Sequence, residues 1–252
     1  MVSDDVPKLE VLTYADLSST AAAIADRLVN QLIGCAADTH ISVTGGGLGS
    51  AIWPEVVKHP GAAEARWDRL HIWFSDERFV PAGDTERNDI AVIAVAEELG
   101  LPLKNVHRVP GPDTMPTVEA AAFAYASELA KWKAPRATDL PAPVFAISIL
   151  GIGPDGHVAS LFPGRPEGAI DDAMVVAVKN SPKPPPERVS FTRPLLMQCQ
   201  ELWMIAAGAE KAQAVSRAIA GDDPTRTPAA GLHGRQYTLW FVDTTASATL
   251  HS

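Results

Sequence analysis

The 252-residue sequence predicts an α/β fold in which a mainly parallel sheet is covered by helices. Two observations carry this. Strand-type apolar segments alternate with helical patterns nearly throughout the chain. Three glycine-rich or charged segments, Thr44-Gly45-Gly46-Gly47, Ser75-Asp76-Glu77-Arg78 and Gly151-Ile152-Gly153-Pro154-Asp155-Gly156-His157, each follow a predicted strand directly. In an open parallel sheet the carboxyl ends of the strands share one edge and ligands bind there, so residues distant in sequence are brought to one crevice.

The elements follow in order. A strand is expected at Leu9–Thr13, then a helix from about Ser18 to Ile33 with one apolar face and Gly34 as its stop. Strand His40–Thr44 runs into the glycine turn Gly45–Gly47, and a helix begins near Leu48. Strand Leu70–Ser75 ends in a charged loop, DERFVPAGDTERN, after which Asn88 or Asp89 caps a helix reaching Leu99. A short strand near Val106–Val109 and a helix over Val118–Trp132 come next. The stretch KAPRATDLPAP reads as a proline-punctuated connector within one domain spanning residues 1–252 rather than as a domain boundary. Strands Val144–Leu150 and Met174–Val178 precede SPKPPPER, whose prolines lack the donor that a sheet interior needs and mark an extended loop. Thr192 caps a short helix with Pro194 in its first turn. Strand Leu202–Ala206, helix Lys211–Ile219 and strand Tyr237–Val242 complete the pattern.

Composition narrows the function. A formal net charge of −9 argues against a nucleic-acid or anionic-membrane surface, so an anionic ligand has to be held by a local basic cluster. No apolar run approaches membrane-spanning length, and the acidic N-terminus MVSDDVPKLE lacks the apolar core of a secretory signal. Cys35 and Cys199 fit neither a metal spacing nor a disulfide framework, which points to a reducing compartment, the cytoplasm. The seven histidines are scattered without HExxH or comparable spacing, so no metal and no cofactor is expected.

Each motif has a plain alternative. Thr44-Gly45-Gly46-Gly47 at a strand end suits an anion cradle, because glycines admit close backbone approach and helix-start N–H groups face negative charge; the alternative is an ordinary tight turn. Gly151–Gly156 matches GxGxxG, but Pro163 and Gly164 follow too soon for the helix a dinucleotide site needs, and Asp155 sets a carboxylate where a pyrophosphate would lie. His157, just past that turn, suits a general base, with Asp155 or another acid to orient it. Asp76-Glu77-Arg78 either forms a buried ion-pair network or faces the crevice, where Arg78 can hold a phosphate or an oxyanion. The run Asp84–Asn88 reads as surface loop and helix cap, without a catalytic role. Lys183 and Arg188 flank the stiff Pro184-Pro185-Pro186 segment, a setting for recognising a compact dianion or simply a solvated basic loop.

Taken together, TGGG, the strand-end DER followed by ERN, the block GIGPDGHVASLFPG, and SPKPPPER followed by FTRP resemble the 6-phosphogluconolactonase family, within the larger group that includes glucosamine-6-phosphate deaminases. The resemblance runs over most of the chain and implies a modified Rossmann-like, three-layer α/β sandwich. It assigns His157 as the base that activates water, with Asp76 and Arg78 beside it, and places Thr44, Gly45, Gly46, Gly47, Lys183 and Arg188 around a sugar phosphate. Gly47 departs from the commoner serine, so a hydroxyl contact to phosphate is expected to be missing. Deaminases of the group carry a glutamate five positions after the histidine, where this chain has Phe162. Losing that acid disfavours isomerisation with deamination and leaves lactone hydrolysis, which needs only an activated water and a stabilised oxyanion. The expected partner is therefore a small phosphorylated lactone. A deaminase-like enzyme and a non-catalytic sugar-phosphate binder on the same fold are the alternatives.

Overall fold

A computed structural model describes residues 8–133 and 139–250. The first seven residues of the N-terminal segment and positions 134–138 of the expected connector lie outside the described residues. In chain order the elements are β1 (Lys8–Tyr14), α1 (Leu17–Ile33), β2 (Thr39–Val43), α2 (Gly46–Lys58), β3 (Leu70–Phe74), β4 (Asp76–Arg78), α3 (Ile90–Leu99) and β5 (Val106–His107). They continue with α4 (Val118–Ala130), β6 (Phe145–Gly151), β7 (Val175–Val178), β8 (Arg188–Phe191), α5 (Arg193–Leu196), β9 (Cys199–Ala206), α6 (Ala212–Ile219) and β10 (Tyr237–Asp243).

Seven strands form one parallel sheet in the order β1-β10-β9-β6-β2-β3-β5. Its central strands are apolar on both faces, as strands covered by helices must be: all five residues of β3 are buried. Helix α1 shows how the cover is built. Asp16 accepts from the Ser19 N–H at 2.8 Å while the Ser19 hydroxyl accepts from the Asp16 N–H, a reciprocal cap. Ile24, Ala25, Leu28, Val29 and Leu32 then recur at helical spacing and are all buried. Each such leucine or isoleucine contributes about 1.5–3 kcal/mol by leaving water.

The chain departs from expectation after Phe74. Asp76–Arg78 is not loop but a short strand, pairing antiparallel with β8, which pairs in turn with β7 in a second, three-stranded sheet. Ser75 makes the junction: its N–H bonds to the Val43 carbonyl and its own carbonyl accepts from the Phe191 N–H. Pairing resumes at Arg188, two residues beyond Pro186, because the prolines that forbid a ladder have ended. Asp89 and Thr192 take the expected N-cap positions, but neither side chain makes the capping bond. Asp89 precedes α3 without a side-chain capping bond, because its carboxylate takes Arg87 and Arg108. The Thr192 hydroxyl donates to the Ala173 carbonyl instead of capping α5.

Toward the amino ends of β2 and β3, away from the glycine-rich tips, three histidines are packed together. His40 stacks on His71 at 4.7 Å, and His71 Nδ1 lies 3.0 Å from His107 Nε2. Burial lowers all three, His40 to about 3 and His107 to about 4. A histidine kept neutral in the fold but protonated near pH 6.5 when unfolded makes stability fall with pH below that value, by about 1.4 kcal/mol per pH unit each, until the folded value is reached. Glu77, pushed up to about 7 by burial, opposes this in part of the window, one group against three. The urea midpoint is therefore expected to fall between pH 7 and pH 4, and less steeply in His40→Phe. A midpoint independent of pH over that range contradicts this.

Candidate active site

After β2 the chain adds strands on one side, β3 and β5; after β6, on the other side of β2, it adds β9 and then β10, which closes against β1 at the edge. The adjacent tips of β2 and β6, in register at Ile41–Ile147 and Ser42–Ser148, thus form the switch point of the sheet, where such folds bind ligands. A pocket of about 230 Å³ opens there.

One wall is the glycine turn after β2. Helix α2 starts at Gly46, two residues earlier than the sequence suggests, so the glycines are themselves the first turn of a thirteen-residue helix. Its N-terminus carries no side-chain cap, and the backbone N–H groups of that turn remain available to an anion. Gly45 is required by close approach: a Cβ there would lie 1.9 Å from Asn88 Oδ1.

The opposite wall is the turn after β6. No α-helix starts at the Gly156 turn; isolated bridges tie Val158 to Ile152 and to Leu161 there instead, so the helix that a dinucleotide fingerprint needs does not form at this turn. His157 lines the pocket with its side chain 17% exposed, and its Nδ1 lies 2.5 Å from Asp155 Oδ1. With Nδ1–H donated to the carboxylate, Nε2 is the nitrogen free to take a proton. Of Asp155 and Asp76, it is Asp155 that contacts the imidazole. Asp76 is engaged elsewhere, its Oδ2 accepting from the Ser160 hydroxyl at 2.7 Å. Burial pushes the Asp155 carboxyl up, but the hydrogen bonds it takes from His157, with the charge of Lys183, outweigh it and hold the group below the ordinary carboxylate range.

The charged triplet does both things the sequence allowed. Along β4 side chains alternate, so Asp76 and Arg78 line the pocket while Glu77 turns away, fully buried. There Glu77 accepts from the N–H groups of Arg78, Asn88 and Asp89 and lies 3.7 Å from Arg87. Arg78 donates to the Glu86 carbonyl, and its register partner in β8 is Arg188. Arg188 is buried in the pocket wall; burial, reinforced by the charge of Arg78 and opposed by Asp76, lowers its pKa.

Thr44, Gly45, Gly46, Gly47, Asp76, Arg78, His157 and Arg188 therefore converge on one pocket. Lys183 and Asp155 do not line it; both touch the imidazole on its Nδ1 side. Two pocket residues with polar side chains lie outside the set that the sequence pointed to. Asn88, read as loop surface or cap, is buried, and its Nδ2 donates to the Asp76 carbonyl at 2.8 Å. Lys211, read as the start of a helix, enters the pocket from the turn after β9. Burial lowers its pKa, with Glu210 and Asp243 opposing. The usable signal for Lys211 was its position just past a strand end, on the edge that the glycine turns occupy.

The family model described as glucosamine-6-phosphate isomerases/6-phosphogluconolactonase matches residues 14–240. A 6-phosphogluconolactonase of Streptomyces coelicolor is 39% identical, over 98% of this chain and 95% of that protein. One from Mycobacterium tuberculosis is also 39% identical, over 95% of this chain and 97% of that protein. The solved structure of the devB protein superposes with a TM-score of 0.82 at 28% identity, covering 96% of this chain and 99% of that one. With the parallel sheet, its switch-point pocket and these likenesses together, the chain belongs to the glucosamine-6-phosphate isomerase/6-phosphogluconolactonase family.

Proposed function

We propose that this chain hydrolyses 6-phospho-D-glucono-1,5-lactone to 6-phospho-D-gluconate, the lactone-opening step of the oxidative pentose phosphate pathway. The observation that carries the reading is the joining, in one pocket, of a carboxylate-oriented imidazole and a cationic, glycine-lined anion cradle. The substrate phosphate rests on the N–H groups that open α2, with Lys211 and Arg188 supplying charge. That anchor holds the lactone carbonyl near His157 and raises the effective concentration of the reacting groups.

His157 Nε2 takes a proton from water as the water oxygen attacks the carbonyl carbon, and Asp155 stabilises the imidazolium. Arg78, or the backbone N–H groups of the glycine turn, stabilises the tetrahedral oxyanion. On collapse the ring C–O bond breaks, and the imidazolium returns the proton to the departing oxygen. Phe162 favours hydrolysis over deamination. It is buried and lies against His157 with ring centroids 4.8 Å apart, so an apolar ring occupies the position where deaminases of the group carry their extra acid.

The protein acts as a single domain on a small sugar phosphate, with no nucleic acid or membrane surface as partner, in keeping with its net charge of −9. No helix among the described residues is long and apolar enough to cross a membrane. Its two cysteines are free, which suits work in the reducing cytoplasm.

The test is acid release from the lactone, corrected for spontaneous opening, beside ammonia release from glucosamine 6-phosphate. Turnover of the lactone alone supports the reading, and ammonia release or no turnover of either contradicts it. Within this scheme Lys211→Ala removes a charged hydrogen bond of roughly 1.5–3 kcal/mol. KM is expected to rise about 10- to 100-fold with a smaller change in kcat; an unchanged KM removes Lys211 from the cradle.

A further inference from the structure

Lys183 stands apart from the other basic groups. Its Nζ lies 3.2 Å from His157 Nδ1 and 3.5 Å from Asp155 Oδ1, and it is not part of the pocket wall. The backbone that carries it is fastened from one side by Arg188, whose Nη2 donates to the carbonyls of Lys183 and Pro184 and whose Nε donates to that of Pro185. On the other side the Lys183 N–H donates to the Ser181 hydroxyl at 3.2 Å. An ammonium has only protons to offer, so it cannot accept the Nδ1–H and acts on the imidazole through its charge.

We propose that Lys183 is a positioning residue for the base, its ammonium offsetting Asp155 so that His157 rests in the neutral, proton-accepting form, and that it is not a phosphate anchor. This rests on the reading of His157 as base.

The other charges around the imidazole leave this role to Lys183. Asp155, in hydrogen-bond contact, favours the imidazolium. From α6, Arg217 comes no nearer the imidazole than the Asp155 backbone carbonyl, at 3.4 Å, its other partners being Thr227 and Asp222. From β8, Arg188 sits over the Phe162 ring, 5.8 Å from its centroid, with that ring next to the imidazole. Asp76, Arg78 and Lys211 line the pocket and make no hydrogen bond or ion pair with His157 among the described residues. Lys183 is thus the cation in contact with the imidazole, and with it removed Asp155 acts unopposed at that range.

The experiment is the pH profile of kcat/KM for lactone hydrolysis between pH 5 and 8 in the wild type, Lys183→Met, Lys183→Arg and His157→Ala, with the inhibition constant of inorganic phosphate measured alongside. The expected result is an acid limb moved up by about one pH unit in Lys183→Met. Lys183→Arg restores it, and phosphate inhibition stays within twofold of wild type. An acid limb that does not move in Lys183→Met overturns the proposal, whatever happens to KM. A rise in the phosphate inhibition constant with an unmoved limb returns Lys183 to the phosphate cradle. His157→Ala separates the two readings: if it keeps full activity the assignment of the base fails, and if it loses activity while the Lys183→Met limb is unmoved only the present inference fails.

Discussion

His157→Ala is expected to lower kcat for lactone opening by about 10²–10⁴-fold, the usual cost of removing a general base. The change removes the one titratable ring that faces the pocket among the described residues, while leaving the cradle of α2, Arg188 and Lys211 in place. KM should therefore change far less than kcat. The fold should survive, because the side chain is partly exposed and its removal frees Asp155 to keep the ion pair it already makes with Lys183. Acid release measured beside a thermal melt checks both halves. A variant that keeps wild-type turnover excludes His157 from the chemistry.

Gly153→Ala should inactivate by displacement rather than by deletion. A Cβ at Gly153 would lie 2.0 Å from both Cε1 and Nδ1 of His157 and 2.6 Å from Asp155 Oδ1. No contact that short persists, and the Gly153 N–H is tied to the His157 carbonyl at 2.9 Å, so the backbone of the turn resists moving. The imidazole is the part that yields, and it swings off its carboxylate. A misplacement of about 1 Å in a positioned catalytic group costs about 10²-fold in rate. kcat should fall by about that much with the melting temperature close to wild type. Unchanged kcat would mean that the ring tolerates the shift and that its orientation by Asp155 is dispensable.

Much of the architecture was legible in the chain because it depends on local signals. Alternating apolar runs and helix patterns defined the parallel sheet, and the glycine turns after β2 and β6 marked the edge where the pocket lies. What escaped was set by pairing at long range. Asp76–Arg78 carries no strand pattern of its own, and becomes a strand because Arg188–Phe191 lies antiparallel to it. Asn88 looked like a cap, yet its amide is drawn to Asp76 twelve residues away. Lys211 and Lys183 are single lysines whose roles follow from where their loops land. One enters the pocket after β9 and the other stands behind the imidazole. Asp155 and Asp76 were equal candidates on paper, and only the tight turn at Gly156, with φ +92°, brings the first back against the ring.

The central claim is that strand tips from the two halves of the sheet assemble a phosphate cradle and a proton-accepting imidazole around one ligand. A crystal structure with 6-phosphogluconate bound tests it most directly. The phosphate is expected on the N–H groups of residues 46–49 within reach of Lys211, and the carboxylate at the His157 Nε2 face. A phosphate seated away from that turn, or a carboxyl end that does not reach His157, would contradict it.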